Sequence, residues 1–178
     1  MFQNKIYRWV VVRKMTEDNL KNAFAGESQA HMRYLIFARR AEKEGFTNIA
    51  RLFRAVAFAE QIHASNHLNT LGLVRSTIEN LQLAVDGERY EVDEMYPAYD
   101  AVAKLQDERG AVRSFNWALQ SERMHIELYQ KAKQAAERGE DIKIEALYVC
   151  EVCGYTVEGE VPDRCPVCGA VKEKFVRF

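Results

Sequence analysis

Apolar positions recur every three or four residues from about residue 16 to about residue 138, and then the rhythm stops. Leu20, Phe24, Met32, Leu35 and Ile36 follow Thr16, a residue able to cap a helix start, and Gly45 is placed to end that helix. A second run opens near Ile49 and carries Ile49, Leu52, Phe53, Val56, Ile62 and Leu68 on one side before Gly72 terminates it. Ser76 to Glu79 has the Ser-x-x-Glu form of a capping box and opens a third helix, expected to bend at Gly87 or Pro97 and to run to about Arg109. A fourth spans roughly 111 to 138. Helices of about 25 residues rise about 37 Å, which suits an elongated four-helix bundle. Residues 145–178 are short, glycine-punctuated and hold all four cysteines. The expected fold is therefore an all-α bundle over 15–140, a small β and loop module over 145–178, and an extension of unknown role over 1–14.

Composition narrows the partners. A chain of 178 residues at 48% hydrophobic buries one core and a small appendage. Lys and Arg total 25 against 26 for Asp and Glu, so no excess of positive charge draws a nucleic acid or an anionic membrane, and neither is expected as a partner. The first fourteen residues mix Lys5, Arg8 and Arg13 into an apolar run too short for a bilayer and without a small-residue cleavage site, so no export signal is read. Met15 reads as the better domain start.

Two copies of Glu-x-x-His carry the chemistry: Glu60 with His63 and Glu122 with His125. Residues three apart on a helix share a face, so each pair projects together. One such pair often decorates a solvated face; the partner helices give the repeat its weight. Glu27 sits among Phe24, Ala25, Gly26 and Ala30, and Glu91 and Glu94 stand beside Met95 and Tyr96. A buried, unpaired carboxylate costs several kcal/mol, so inward glutamates on four helices require a shared positive partner. A metal pair supplies it. One Glu from each of two helices plus Glu-x-x-His from each of the other two is the ligand pattern of ferritin-like di-iron bundles. The candidates are Glu27, Glu60, His63, Glu91, Glu94, Glu122 and His125, and oxygen-rich ligation with two imidazoles favours iron or manganese. His31 and His67 are read as hydrogen-bonded or exposed rather than as ligands, because Tyr129 stands in the second motif where His67 stands in the first.

Cys150 and Cys153, then Cys165 and Cys168, form two Cys-x-x-Cys knuckles, each followed by glycine. Four thiolates at this spacing meet tetrahedrally at one ion. Disulfides are disfavoured without an export signal, and a module of this size needs a metal to fold. Spacing leaves zinc and iron open: zinc makes a structural ribbon, iron a one-electron carrier. A redox-active metal pair nearby favours iron.

From about Met15 to Phe178 the chain resembles the rubrerythrin family. The matching stretches are AFAGES around Glu27, AEQIH at Glu60 and His63, GERYEVDEMYP with Glu91 and Glu94, SERMH at Glu122 and His125, and both cysteine knuckles. The resemblance implies a ferritin-like di-iron bundle followed by a rubredoxin-like iron module. It implies a cytoplasmic peroxidase that reduces hydrogen peroxide to water with electrons from NAD(P)H through a rubredoxin or similar reductant. Glu60 and Glu122 would bridge the irons, and Glu27 and Glu91 would be terminal on opposite irons with His125 beside Glu91. Glu94 and His63 would exchange places on one iron as its oxidation state changes. Tyr34 and Tyr99 match family tyrosines near the cluster, positions equally suited to core tyrosines bonded to buried carboxylates. The resemblance also implies a head-to-tail homodimer or higher oligomer. The short connector from Leu73 to Arg75 leaves two arrangements: residues 76–90 as a crossover within one chain, or exchange of the first two helices between two chains. Two other classes share features: a ferritin-like ferroxidase, which has no need of a thiolate iron, and a structural zinc-ribbon protein, which would be colourless.

Overall fold

The computed structural model describes residues 12–178, so most of the expected 1–14 extension lies outside the described residues. The chain divides into two compact units, one ending at Arg75 and the other beginning at Ser76. The fold class is the expected one, helices followed by a small strand-containing module.

The first unit is a hairpin of α1 (Lys14–Lys43) and α2 (Thr47–Thr70). The helix begins before Thr16, at Lys14, with Arg13 as an N-cap that lends no side-chain bond. The Glu17 N–H already reaches the Arg13 carbonyl at 2.9 Å, and Lys14 pairs with Asp18, so Thr16 falls inside the first turn. The seam between the helices is made of alanine: Ala30, Ala38 and Ala41 from α1, Ala50, Ala57 and Ala64 from α2, all buried. Side chains this small let two backbones approach closely. Several of the larger apolar residues that marked the sequence rhythm, Met32, Ile36, Ile49, Leu52 and Ile62, are exposed instead, Leu52 at 62%, and Phe58 beside them is 61% exposed.

The second unit opens with α3 (Thr77–Tyr90), whose capping box forms as expected: the Ser76 hydroxyl accepts from the Glu79 N–H, and the Glu79 carboxylate accepts from the Ser76 N–H. The expected bend at Gly87 or Pro97 is replaced by a π-helical segment, Glu91–Met95, between α3 and α4 (Tyr96–Leu105). The Tyr96 N–H donates to the Glu91 carbonyl five residues back, and the wide turn precedes Pro97, which has no N–H to continue an α-helical ladder. The third helix ends short of Arg109, at Leu105, and α5 (Arg109–Glu137) comes next. Asn116 on α5 donates to Asp100 on α4 at 2.9 Å.

The C-terminal module is an antiparallel sheet of β1 (Leu147–Cys150), β2 (Thr156–Glu158) and β3 (Phe175–Arg177) in the order β2-β1-β3. It seats on α5, where Lys131 pairs with Glu158 at 2.6 Å. No helix among the described residues is long and apolar enough to cross a membrane.

Candidate metal centres

At the tip of the sheet the two knuckles bring four cysteine sulfurs together, each within 4.8 Å of the others. The Sγ atoms of Cys150 and Cys168 are 3.7 Å apart and those of Cys153 and Cys165 are 3.5 Å apart. A tetrahedron with bonds of about 2.3 Å to one metal ion has edges of about 3.8 Å, whereas a disulfide requires about 2.05 Å. The four thiols fit a single ion. Gly154 and Gly169 hold φ of 83° and 74°, a region closed to most side chains, and turn their N–H groups onto the Cys150 and Cys165 carbonyls. Burial works to raise the Cys165 thiol, but N–H groups of Cys168 and Val167 aimed at its sulfur outweigh it and lower the pKa, as a thiolate ligand requires. Cys153, where burial prevails, is raised. The folded module thus favours the thiolate form at Cys165 and the thiol form at Cys153 and Cys168, and metal binding at the latter two is coupled to proton release.

Each unit also gathers a carboxylate and histidine group. In the first, Glu27 on α1 meets Glu60 and His63 on α2. The His63 Nδ1 lies 2.9 Å from the Glu60 carboxylate, and the ring is about half exposed. In the second, α5 presents Glu122 and His125 with 2.5 Å between carboxylate and Nδ1, and Glu88 on α3 joins them with its carboxylate 3.9 Å from the same nitrogen. The i to i+3 spacing does what helix geometry requires in both places.

The second group holds protons where a cation would sit. Burial pushes the Glu88 carboxyl up to about 7, and the neighbouring Glu122 carboxylate pushes the same way. Burial would raise Glu122 too, but hydrogen bonds from His125 and Glu88 hold it down. The hydrogen bond to Glu122 raises His125. Glu91 is raised by burial and by the Glu122 charge, and the Tyr96 phenol is raised by burial and by Glu91, Glu122 and Glu88. Acidic groups this close, kept apart from full ionisation only by shared protons, are a donor set that divalent ions would satisfy.

Of the residues singled out from the sequence, Glu27, Glu60 and His63 come together, as do Glu122 and His125. Glu91 borders the second group, whereas Glu94 is exposed and belongs to neither. Glu88 stands one turn before Glu91 and is a carboxylate that the spacing of the motifs did not single out. His31 bonds the Ala57 carbonyl at 2.8 Å and ties α1 to α2, and His67 sits in the last turn of α2. Tyr34 stacks obliquely among Phe37 and Phe53, and Tyr99 packs on Tyr96 and Phe115. Tyr96 is the tyrosine raised by the acidic group.

Paired helical Glu-x-x-His motifs with an attached tetracysteine module define a class: non-haem metal proteins that join a carboxylate–histidine centre to a thiolate centre. The family model described as rubrerythrin matches residues 18–133, and that described as the rubrerythrin rubredoxin-like domain matches residues 148–176. The chain is 43% identical to rubrerythrin-2 of Clostridium acetobutylicum, across 94% of this chain and 99% of that protein. It is 34% identical to nigerythrin of Nitratidesulfovibrio vulgaris, across 92% of this chain and 86% of that one. Among solved structures, mixed-valent nigerythrin is similar with a TM-score of 0.53 at 34% identity, covering 92% of this chain and 86% of that chain. The chain belongs to the rubrerythrin family. Its cofactors are accordingly iron at a carboxylate–histidine di-iron site and iron at the four cysteines, Cys150, Cys153, Cys165 and Cys168, and it is an oxidoreductase of oxidative stress.

Proposed function

We propose that this protein is a di-iron peroxidase that reduces hydrogen peroxide to water, with electrons relayed through its own tetracysteine iron. The observation that carries the reading is the combination of two Glu-x-x-His groups with a tetracysteine module seated on the helix that bears one of them. The two groups, with Glu91 and Glu94 as further donors, offer the carboxylates and imidazoles of a di-iron centre: Glu27, Glu60, His63, Glu122 and His125. Bound iron supplies Lewis acidity toward both peroxide oxygens and, when ferrous, one electron per ion.

The protein residues do the rest. Glu60 and Glu122, each beside its own histidine, offer carboxylates able to span two ions. Peroxide takes up two electrons and two protons to give two waters. Glu88, whose carboxylate lies 3.9 Å from the His125 Nδ1, and the Tyr96 phenol beside the same carboxylates are the groups placed to pass protons at this site. Iron held by Cys150, Cys153, Cys165 and Cys168 would supply electrons one at a time, and an external donor of the rubredoxin type, itself served by NAD(P)H, would replenish them. A homodimer or higher oligomer belongs to the same reading, because α2 leaves Leu52 and Phe58 more than half exposed.

The test is anaerobic. The protein is reduced with dithionite, freed of excess reductant and mixed with one equivalent of hydrogen peroxide in a stopped-flow spectrophotometer. Return of the red ferric tetrathiolate colour within seconds supports a coupled peroxidase. Return only on exposure to air assigns oxygen as the oxidant, and a colourless protein removes the relay altogether.

A further inference from the structure

We propose that Thr156, on the rubredoxin-like module, is a positioning residue for His125 of the same chain, so that metal loading at the carboxylate–histidine group of α5 depends on the folded state of the module. This rests on the reading of His125 as an iron ligand.

One hydrogen atom decides which way the contact runs. Thr156 is 7% exposed, and its hydroxyl donates to the Gly154 carbonyl at 3.1 Å. A threonine hydroxyl has a single hydrogen. With that hydrogen committed, the Thr156 oxygen faces the His125 Nε2 at 3.0 Å as an acceptor, so Nε2 carries the ring proton. In the neutral ring the free lone pair is then on Nδ1, the nitrogen turned toward the Glu122 and Glu88 carboxylates. A metal ion held by those carboxylates meets the correct nitrogen without a ring flip or a change of tautomer.

The module is held in register for this task at a second point. The Ser121 hydroxyl, buried at 2% exposure, lies 3.1 Å from the Cys153 carbonyl and 2.9 Å from the Trp117 carbonyl of its own helix. Gly154, at φ 83°, makes the turn that follows Cys153. Ser121 and His125 lie four apart on α5 and so share the face on which Cys153, Gly154 and Thr156 rest. These three residues belong to the first cysteine knuckle and its exit strand, the part of the module that its metal organises. Leu81, Leu128, Ile144 and Leu147 line an apolar cleft of about 350 Å³ that also reaches His125 and Thr156, and hydrocarbon beside the bond strengthens it. His63 has no counterpart: among the described residues it bonds to Glu60 alone.

The test compares full-length proteins whose carboxylate site has been emptied and whose cysteine site, wherever all four cysteines are kept, is loaded with iron, titrated anaerobically with ferrous ion by calorimetry. Thr156→Val keeps the shape and removes the acceptor; it is expected to weaken ferrous binding about tenfold, the low end for losing such a partner, with the red absorption of the cysteine site unchanged. Thr156→Ser is expected to restore the affinity. In a T156V background, Cys165→Ser, which dismantles the module's metal site, is expected to add little, whereas alone it should match T156V. Unchanged affinity in T156V, or failure of T156S to restore it, overturns the proposal while leaving His125 a ligand. His125→Ala separates the two readings: if it too leaves ferrous binding unchanged, His125 is not a ligand and the proposal falls with that reading.

Discussion

Glu88 shows how one side chain reports on a site before any metal enters. Its carboxyl is raised to about 7 from an ordinary value of 4.5, and His125 is raised from 6.5. Both groups bind protons more tightly folded than unfolded. The stability they lend the metal-free protein is complete below the unfolded values and is lost as pH rises through the folded ones. The thermal midpoint of metal-free protein is therefore expected to fall between about pH 5 and about pH 7, and Glu88→Gln to flatten part of that fall. A midpoint that rises over this range would show that the carboxyl is already ionised in the fold. For Glu94→Ala we expect fold and red colour to persist while peroxide turnover drops. Full turnover in that variant would remove Glu94 from the ligand set. The two Glu-x-x-His pairs were legible because a three-residue spacing on a helix has one geometric meaning. Glu88 was not, because its place beside Glu122 depends on how α3 lies against α5.

At the scale of elements, the π-helical segment Glu91–Met95 decides which glutamates face α5. It adds a residue to one turn, so the face that carries Glu88 and Glu91 does not continue in phase to Glu94. Deleting Val92 should restore α-helical winding, leave α4 nearly in phase with α3, and bring Glu94 to two residues after Glu91, on the opposite side of the helix from it. Iron at the carboxylate site is expected to fall below two per chain while cysteine-bound iron and circular dichroism persist; unaltered iron content would mean that the wide turn has no part in the site. The capping box of α3 gives a smaller effect. Ser76→Ala should cost about 1 kcal/mol, seen as a thermal midpoint lower by about 2–4 °C. The box could be read from Ser76 and Glu79, whose roles are set within four residues. The π segment could not: Pro97 announces a break in the ladder, but a kink, a bend and a wide turn all satisfy it.

For the whole molecule, the exposed large apolar residues of α2 contrast with a hairpin seam whose fully buried members are alanines. Such a face is expected to be covered by self-association, so sedimentation at micromolar concentration should give a dimer or larger. Replacing both Leu52 and Phe58 with Glu should shift the protein toward monomer. A wild-type protein that sediments as a monomer would argue that the face stays in water.

Short-range chemistry was written in the order of residues. Helical spacing of apolar positions defined four long helical stretches, the glutamate and histidine intervals paired the donors, and the cysteine and glycine intervals shaped a tetrahedral site, because each of these relations is settled within a turn or a hairpin. The tertiary structure alone decided that alanines rather than leucines line the first hairpin, that Glu88 joins Glu122, and that Thr156 meets His125. Those contacts join residues on separate elements or lie on faces of equal apolar content, and only packing selects among faces that local spacing leaves equivalent.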